Sequence, residues 1–246
     1  MKIILGVTGS ISAYKAANIV SLFKKKNYDV YVVMTKSAAK FISPMTFEVL
    51  SQNKVYIDMF EDDDHTKVEH INITKNADAM LIAPASYNVV GKIANGIADD
   101  MLTTMVSAYR GKVFFAPAMN TNMYENPIFM KNRETLEKLG HEFIAPAEGL
   151  LACGDVGSGK LQDENSIVQT VHTALNLPQT LAGKKVIVTA GATREYIDPI
   201  RYITNSSSGK MGSALAKAAK NLGAEVTLIT GATELPKIEG VTMVST

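Results

Sequence analysis

The chain has 246 residues, 46% of them hydrophobic and 20% charged, with a formal net charge of +1 at pH 7. Charges of both signs are interspersed, which gives no reason to expect nucleic acid as a partner, and no apolar run approaches the ~20 residues of a membrane span. The one cysteine, Cys153, excludes an internal disulfide and suits a reducing cytoplasm.

The opening "KIILGVT" breaks at Gly6 and no small-residue cleavage site follows, so it reads as a buried first strand rather than a signal peptide. A helix follows through "AYKAANIVSLFKKKN", with Ala17, Val20, Leu22 and Phe23 on its apolar face. Next come the strand "DVYVVMT", a helix near "PMTFEVLSQN" and the strand "ADAMLIAPAS". The helical stretch "NVVGKIANGIADDMLTTMVSAY" leads to "KVFFAPAMN", a helix in "NPIFMKNRETLEKLG", the strand "HEFIAPAE" and a helix near "NSIVQTVHTALN". Alternating strands and helices imply a parallel sheet covered on both faces, because parallel neighbours need crossover connections. The near-continuous apolar strands agree with that burial.

"LPQTLAG" reads as a linker, after which the pattern restarts with "KKVIVTAGAT", "GKMGSALAKAAKNLG", "AEVTLITGAT" and "VTMVST". The expected organisation is therefore a doubly wound α/β domain over residues 1–178 and a second α/β domain beginning at 183 and running to 246. Three strands and one long helix make a poor free-standing core, so the second domain is expected to be incomplete.

In an open parallel sheet, ligands bind beyond the carboxyl ends of the strands. There the chain offers "GVTGSIS", with Gly9 and Ser10 ahead of a helix; it is either a tight turn or an anion-binding turn. Thr35 ends the second strand, Ser86 and Asn88 follow the third, and "APAMNTNM" ends the fourth. Four polar loops at one edge, without a G-x-G-x-x-G fingerprint, favour a mononucleotide over NAD.

The segment "GDVGSGKL" carries the G-x-x-x-x-G-K frame of a phosphate loop, but Leu161 stands where a Mg²⁺-binding hydroxyl is required. No buried strand is expected before it, because Pro146 and Gly149 interrupt the run. Asp62, Asp63, Asp64 and His65 read as a solvated loop, poorly spaced for a metal, and no metal site is expected. His70 opens "HINI" and borders what reads as an apolar strand; it is either a base titrating near neutrality or a structural histidine. His141 and His172 show no partner and read as structural. In "PAMNTNMY", a poor strand and a poor helix, the asparagines can hydrogen-bond a carboxylate or amide substrate.

Taken in order, "GVTGSISAYK", "HINI", "APAS", "PAMNTNMY" and "ACGDVGSGK" resemble the homo-oligomeric flavin-containing cysteine decarboxylases. "VTAGATREYIDPIRYITNSSSGKMG" is similar to the start of the phosphopantothenate–cysteine ligases, so the resemblance covers the whole chain. It implies a flavodoxin/Rossmann-like doubly wound sheet followed by the start of a second Rossmann-like domain. The implied activity is FMN-dependent oxidative decarboxylation of 4′-phosphopantothenoyl-L-cysteine to 4′-phosphopantetheine in coenzyme A biosynthesis. A CTP- and Mg²⁺-dependent ligase activity would belong to a longer chain, and the implied assembly is a trimer or dodecamer. A peptidyl-cysteine decarboxylase, or a flavoprotein without decarboxylase activity such as a flavin prenyltransferase, is the alternative.

Carried over residue by residue, the resemblance assigns FMN to Gly9, Ser10, Thr35 and Ser86, with Asn88 nearby. His70 falls on the active-site histidine and Asn120 on the asparagine that binds the substrate carboxylate, with Met123 in the same motif. Cys153 falls on a proton-donating cysteine of a flexible clamp that includes Gly157, Gly159 and Lys160. Asn205 falls on an asparagine acting on an acyl-cytidylate. Two positions depart from the pattern: Tyr124 stands where Trp is usual, and Lys160 where Arg is commoner, which keeps the charge but gives up the bidentate fork. In the implied chemistry the carbon bearing sulfur loses a hydride to FMN. The resulting C=S is the electron sink for loss of CO₂, and the enethiol product then regains a hydride and a proton.

Overall fold

The apolar run after Met1 forms strand β1 (Lys2–Val7), buried from Ile3 onward. The computed structural model describes residues 1–59, 69–150, 154, 156–231, 238 and 240–245, with backbone alone at Glu69, His70, Asn72, Leu150 and Val156. They fall into two units, Met1–Leu175 and Asn176–Thr246. In the first unit a 3-10 turn (Ile11–Tyr14) precedes α1 (Lys15–Lys25), β2 (Asp29–Met34), α2 (Pro44–Ser51), β3 (Val55–Tyr56) and α3 (Glu69–Lys75). Then come β4 (Ala79–Ala85), α4 (Tyr87–Ala94), α5 (Met101–Ala108), β5 (Val113–Pro117), α6 (Thr121–Tyr124) and α7 (Pro127–Lys138). The unit closes with β6 (Glu142–Phe143), β7 (Ala147–Leu150), β8 (Val156–Lys160) and α8 (Glu164–Leu175).

The main sheet has the order β3-β2-β1-β4-β5-β6, and every neighbouring pair is parallel. The chain steps outward from β1 to β3, returns to the other side of β1 and steps outward again. This doubly wound path puts helices on both faces and opens a crevice between β1 and β4. The expected α/β class and parallel sheet are what the structure has. Period-two alternation divides β1 between two cores: Ile3, Leu5 and Val7 pack with Ile19, Phe23 and Ile167, whereas Ile4 packs with Met80, Leu102 and Phe129. On α1 the buried stripe is Ala16, Ile19, Val20 and Phe23; Ala17 and Leu22, expected on the apolar face, are at its margin. The spacing i, i+3, i+4, i+7 is that of one helix face.

Three local expectations are corrected. "HINI" lies in helix α3, not a strand, so His70 opens a helix. The long helical stretch after Ser86 divides into α4 and α5, because Asp100 starts a new helix with a capping box to Thr103. "TNMY" is one turn of helix, α6, despite its poor composition. As expected, no buried strand leads into the false phosphate loop: β7 is a short, partly exposed strand that pairs antiparallel with β8 alone.

In the second unit β9 (Lys185–Ala190), β12 (Glu225–Thr230) and β13 (Thr242–Ser245) form a parallel sheet of order β13-β12-β9. Helix α9 (Lys210–Asn221) packs Ala216 and Ala219 with Val226 and Leu228. A hairpin of β10 (Arg194–Tyr196) and β11 (Tyr202–Thr204), which the sequence pattern did not announce, lies between β9 and α9 in the chain. Among the described residues no helix is long and apolar enough to cross a membrane.

Candidate active site

The carboxyl ends of β1, β2, β4 and β5 open into one cavity of about 820 Å³, within the size range of small-molecule sites. Its position is the crevice where the strand order reverses. The buried hydroxyl of Thr8 joins the two sides: Oγ1 donates to the Pro84 carbonyl at 2.7 Å and accepts from the Ser86 N–H at 2.9 Å. Ser86 in turn caps α4, its Oγ accepting from the Val89 N–H at 3.5 Å. On the β1 side Ser10 caps the 3-10 turn, accepting from the Ser12 N–H at 3.4 Å. Gly9 is there because space is short: a Cβ would sit 2.6 Å from Cβ of Ser37. Thr35 follows β2, its N–H donating to the Val7 carbonyl at 3.0 Å and its Oγ1 accepting from the Ala38 N–H at 3.2 Å.

The opposite wall comes from the loop after β5 and the β7–β8 hairpin. Asn120 caps α6, its Oδ1 accepting from the Asn122 N–H at 2.8 Å, which fixes the plane of the amide. The Met119 N–H donates to the Gly159 carbonyl at 3.0 Å, seating the hairpin on this loop. Gly159 has φ +131°, and any side chain there would run into the Met119 carbonyl oxygen.

Charge around the cavity is largely compensated. Lys15 lies 3.5 Å from Glu164, and Lys36 pairs with Asp58 at 2.5 Å. Lys92 donates to Asp99 at 2.7 Å and lies 3.7 Å from Asp100; the hydrogen bond to Asp99, followed by the charges of both carboxylates, raises its pKa against the opposing effect of burial. Lys160 is exposed at the cavity edge.

Of the residues expected at the site, Gly9, Ser10, Thr35, Ser86, Asn88, Asn120, Met123, Gly159 and Lys160 line this cavity. Gly157 is on β8 against Thr121 rather than in the lining. His70 is placed by its backbone alone, and Cys153, like Asp62, Asp63, Asp64 and His65, lies outside the described residues. Asn205 follows β11 in the second unit, where its Oδ1 accepts from the Ser207 N–H at 3.0 Å. His141 and His172 are structural but do have partners. Nδ1 of His141 accepts from the Val113 N–H at 3.3 Å, and Nδ1 of His172 is 2.8 Å from the Tyr28 hydroxyl. Sequence reasoning missed Lys15, Lys36 and Lys92 in the lining. For Lys92 a signal existed: it is four residues after Asn88, on the same face of α4.

Residues 1–176 match the family described as Flavoprotein, and residues 181–246 the DNA/pantothenate metabolism flavoprotein C-terminal domain. The coenzyme A biosynthesis bifunctional protein CoaBC of Borreliella burgdorferi is 46% identical over 242 residues, a match that takes in 98% of this chain and 62% of that protein. The chain thus spans less than two thirds of the relative's length. Among solved structures, a PPC decarboxylase mutant complexed with pantothenoylaminoethenethiol is 33% identical, with a TM-score of 0.65 over 70% of this chain and 96% of its own. The FMN binding protein AtHal3 is 35% identical, with a TM-score of 0.61 over 70% of this chain and 94% of its own.

Proposed function

The chain belongs to the Flavoprotein family, and from that premise we propose that its first unit binds FMN and decarboxylates 4′-phosphopantothenoyl-L-cysteine to 4′-phosphopantetheine in coenzyme A biosynthesis. The observation that carries this reading is the convergence of four strand-end loops and the β7–β8 hairpin on one cavity. Its donor set fits FMN. The hydroxyls of Ser10, Thr35 and Ser86 and the amide of Asn88 suit a phosphate and a polyol, while Ile11, Val89, Met119 and Met123 offer apolar surface to a ring system. The similarity to a protein named for FMN binding supports the same cofactor. When bound, FMN supplies the acceptor and later the donor of a hydride at the carbon bearing sulfur.

The chain's own residues bind, orient and exchange protons. The Asn120 side chain, held by Asn122, hydrogen-bonds the substrate carboxylate through its NH₂ group. Gly159 and Lys160 cover the substrate from the hairpin and keep water out, with Gly157 letting β8 lie close against Thr121. His70 takes the thiol proton and Cys153 returns a proton to the product. Residues 1–178 would form the decarboxylase domain, working as a trimer or dodecamer in the cytoplasm. Residues 183–246 would open a ligase domain that uses CTP and Mg²⁺ in the longer relatives, with Asn205 at its acyl-cytidylate.

Purified protein is expected to be yellow, to release FMN on denaturation and to convert phosphopantothenoylcysteine to phosphopantetheine and CO₂, read by mass spectrometry. A colourless protein that FMN cannot reconstitute would overturn the reading. Turnover of a peptide with a C-terminal cysteine, with phosphopantothenoylcysteine untouched, would replace the substrate.

A further inference from the structure

Helix α6 presents Met123 to the cavity and begins at Asn120, so both cavity residues depend on how one helical turn is held. A single turn is not self-supporting, since nucleation fixes several residues for one hydrogen bond. Its last residue, Tyr124, supplies the hold. The Tyr124 hydroxyl accepts from Nη1 of Arg133 at 3.2 Å, and its ring lies 5.5 Å from that of Phe129. Arg133 is itself anchored: Nε donates to Glu137 at 2.8 Å one turn further along α7, and the guanidinium lies 5.6 Å from the ring of Phe143 on β6. The amides of Met123 and Tyr124 both donate to the Asn120 carbonyl at 3.0 Å, so a shift of Tyr124 is passed to Asn120.

We propose that Arg133, acting through the Tyr124 hydroxyl, is a positioning residue for Asn120 and Met123. What those two residues hold in place rests on the function proposed above; the brace itself does not. The pairing needs a phenol at position 124: a hydroxyl accepts from a guanidinium, whereas an indole N–H only donates. The brace spans helix α7, strand β6 and the cavity wall, and it touches no atom that would react.

The test uses the full chain loaded with FMN and the variants Tyr124→Phe, Arg133→Met and the double. Each single variant is expected to raise the KM for phosphopantothenoylcysteine about tenfold while kcat changes less than about twofold, as for loss of a charge-assisted hydrogen bond that acts on binding. The double is expected to be no worse than either single, because the two act as one unit. Amide exchange at Met123, Tyr124 and Glu125 should speed by about tenfold in both singles, with the amides of α7 unchanged. Multiplying effects in the double variant, or unchanged exchange in α6, overturns the brace. If the wild-type chain fails to turn over the substrate, the function falls and the exchange measurement still decides the brace. Tyr124→Phe keeps the ring on Phe129 and decides the matter should Arg133→Met not fold.

Discussion

Strands β4 and β9 are both short apolar runs in parallel pairing, β4 inside its sheet and β9 at the edge of its own, and all seven residues of β4 are buried while β9 alternates between exposed and half-buried. The difference lies in the layers. The first sheet has α1 and α8 on one face and α4, α5 and α7 on the other, with a separate core under each. Among the described residues of the second unit, α9 covers the face with Val186 and Val188, while Ile187 on the opposite face is 69% exposed. Burial is therefore a property of the packed layers and not of the strand's composition. The same contrast explains the cavity: it forms where crossovers leave β1 in opposite directions, a feature the first sheet has at β1 and β4.

The sharpest way to break this comparison is to truncate one residue in each sheet. Phe115 is fully buried and stacks on Phe143 at 4.8 Å; Phe115→Ala is expected to cost about 3–5 kcal/mol of stability. Ile187→Ala is expected to stay within about 0.5 kcal/mol. Denaturant unfolding followed by amide exchange in β5 and β9 resolves the two units, and equal costs would sink the layer argument. The next largest effect is expected at the crevice. Thr8→Val keeps the shape but removes the bond to the Pro84 carbonyl and the acceptor for the Ser86 N–H, costing about 2 kcal/mol. It should also weaken FMN binding, read by fluorescence titration.

A smaller effect is expected where the hairpin meets the cavity. Gly159→Ala combines a strained φ with a collision against Met119, and it should lower kcat/KM about tenfold by lifting β8 from its seat. Because β7 and β8 pair only with each other, the melting temperature should barely move. The least effect is pH-dependent. Burial lowers the pKa of His141, so its neutral form is favoured in the folded state. That contribution is present above the unfolded imidazole value of about 6.5 and is lost as pH falls below it, since the unfolded chain then binds the proton more readily. Melting scans from about pH 7.5 to about pH 5.5 should show stability declining, and less steeply in His141→Asn. All four histidines precede residue 176, so the decline should be confined to the first unit.

Much of the fold was legible because it is local. Short apolar runs and period-3.6 patterns marked β1, α1, β2, β4, β5, α7, α8, β9, α9 and β12, and the restart after "LPQTLAG" marked the second unit. The failures are also local in origin. "HINI" is too short and apolar for periodicity to tell strand from helix. "TNMY" is helical only because Asn120 caps it and neighbouring elements hold it. The hairpins β7–β8 and β10–β11 carry Gly and polar residues where strand preference is weak, and cross-strand pairing makes them.

The site divides along the same line. Small and hydroxyl residues after each strand, and the asparagines of "PAMNTNMY", could be read directly, because tight turns and hydrogen-bonding loops demand particular side chains within a few positions. Sequence by itself thus determined which loops carry small and polar residues at the strand ends. Only the tertiary structure decided that they share one cavity. Thr8 reaches partners 76 and 78 positions away, Gly159 seats on Met119, and Lys15 and Lys92 come to one lining from different helices. Those meetings depend on strand order and on the direction of each crossover, which are set when distant apolar faces pack and not by any local repeat.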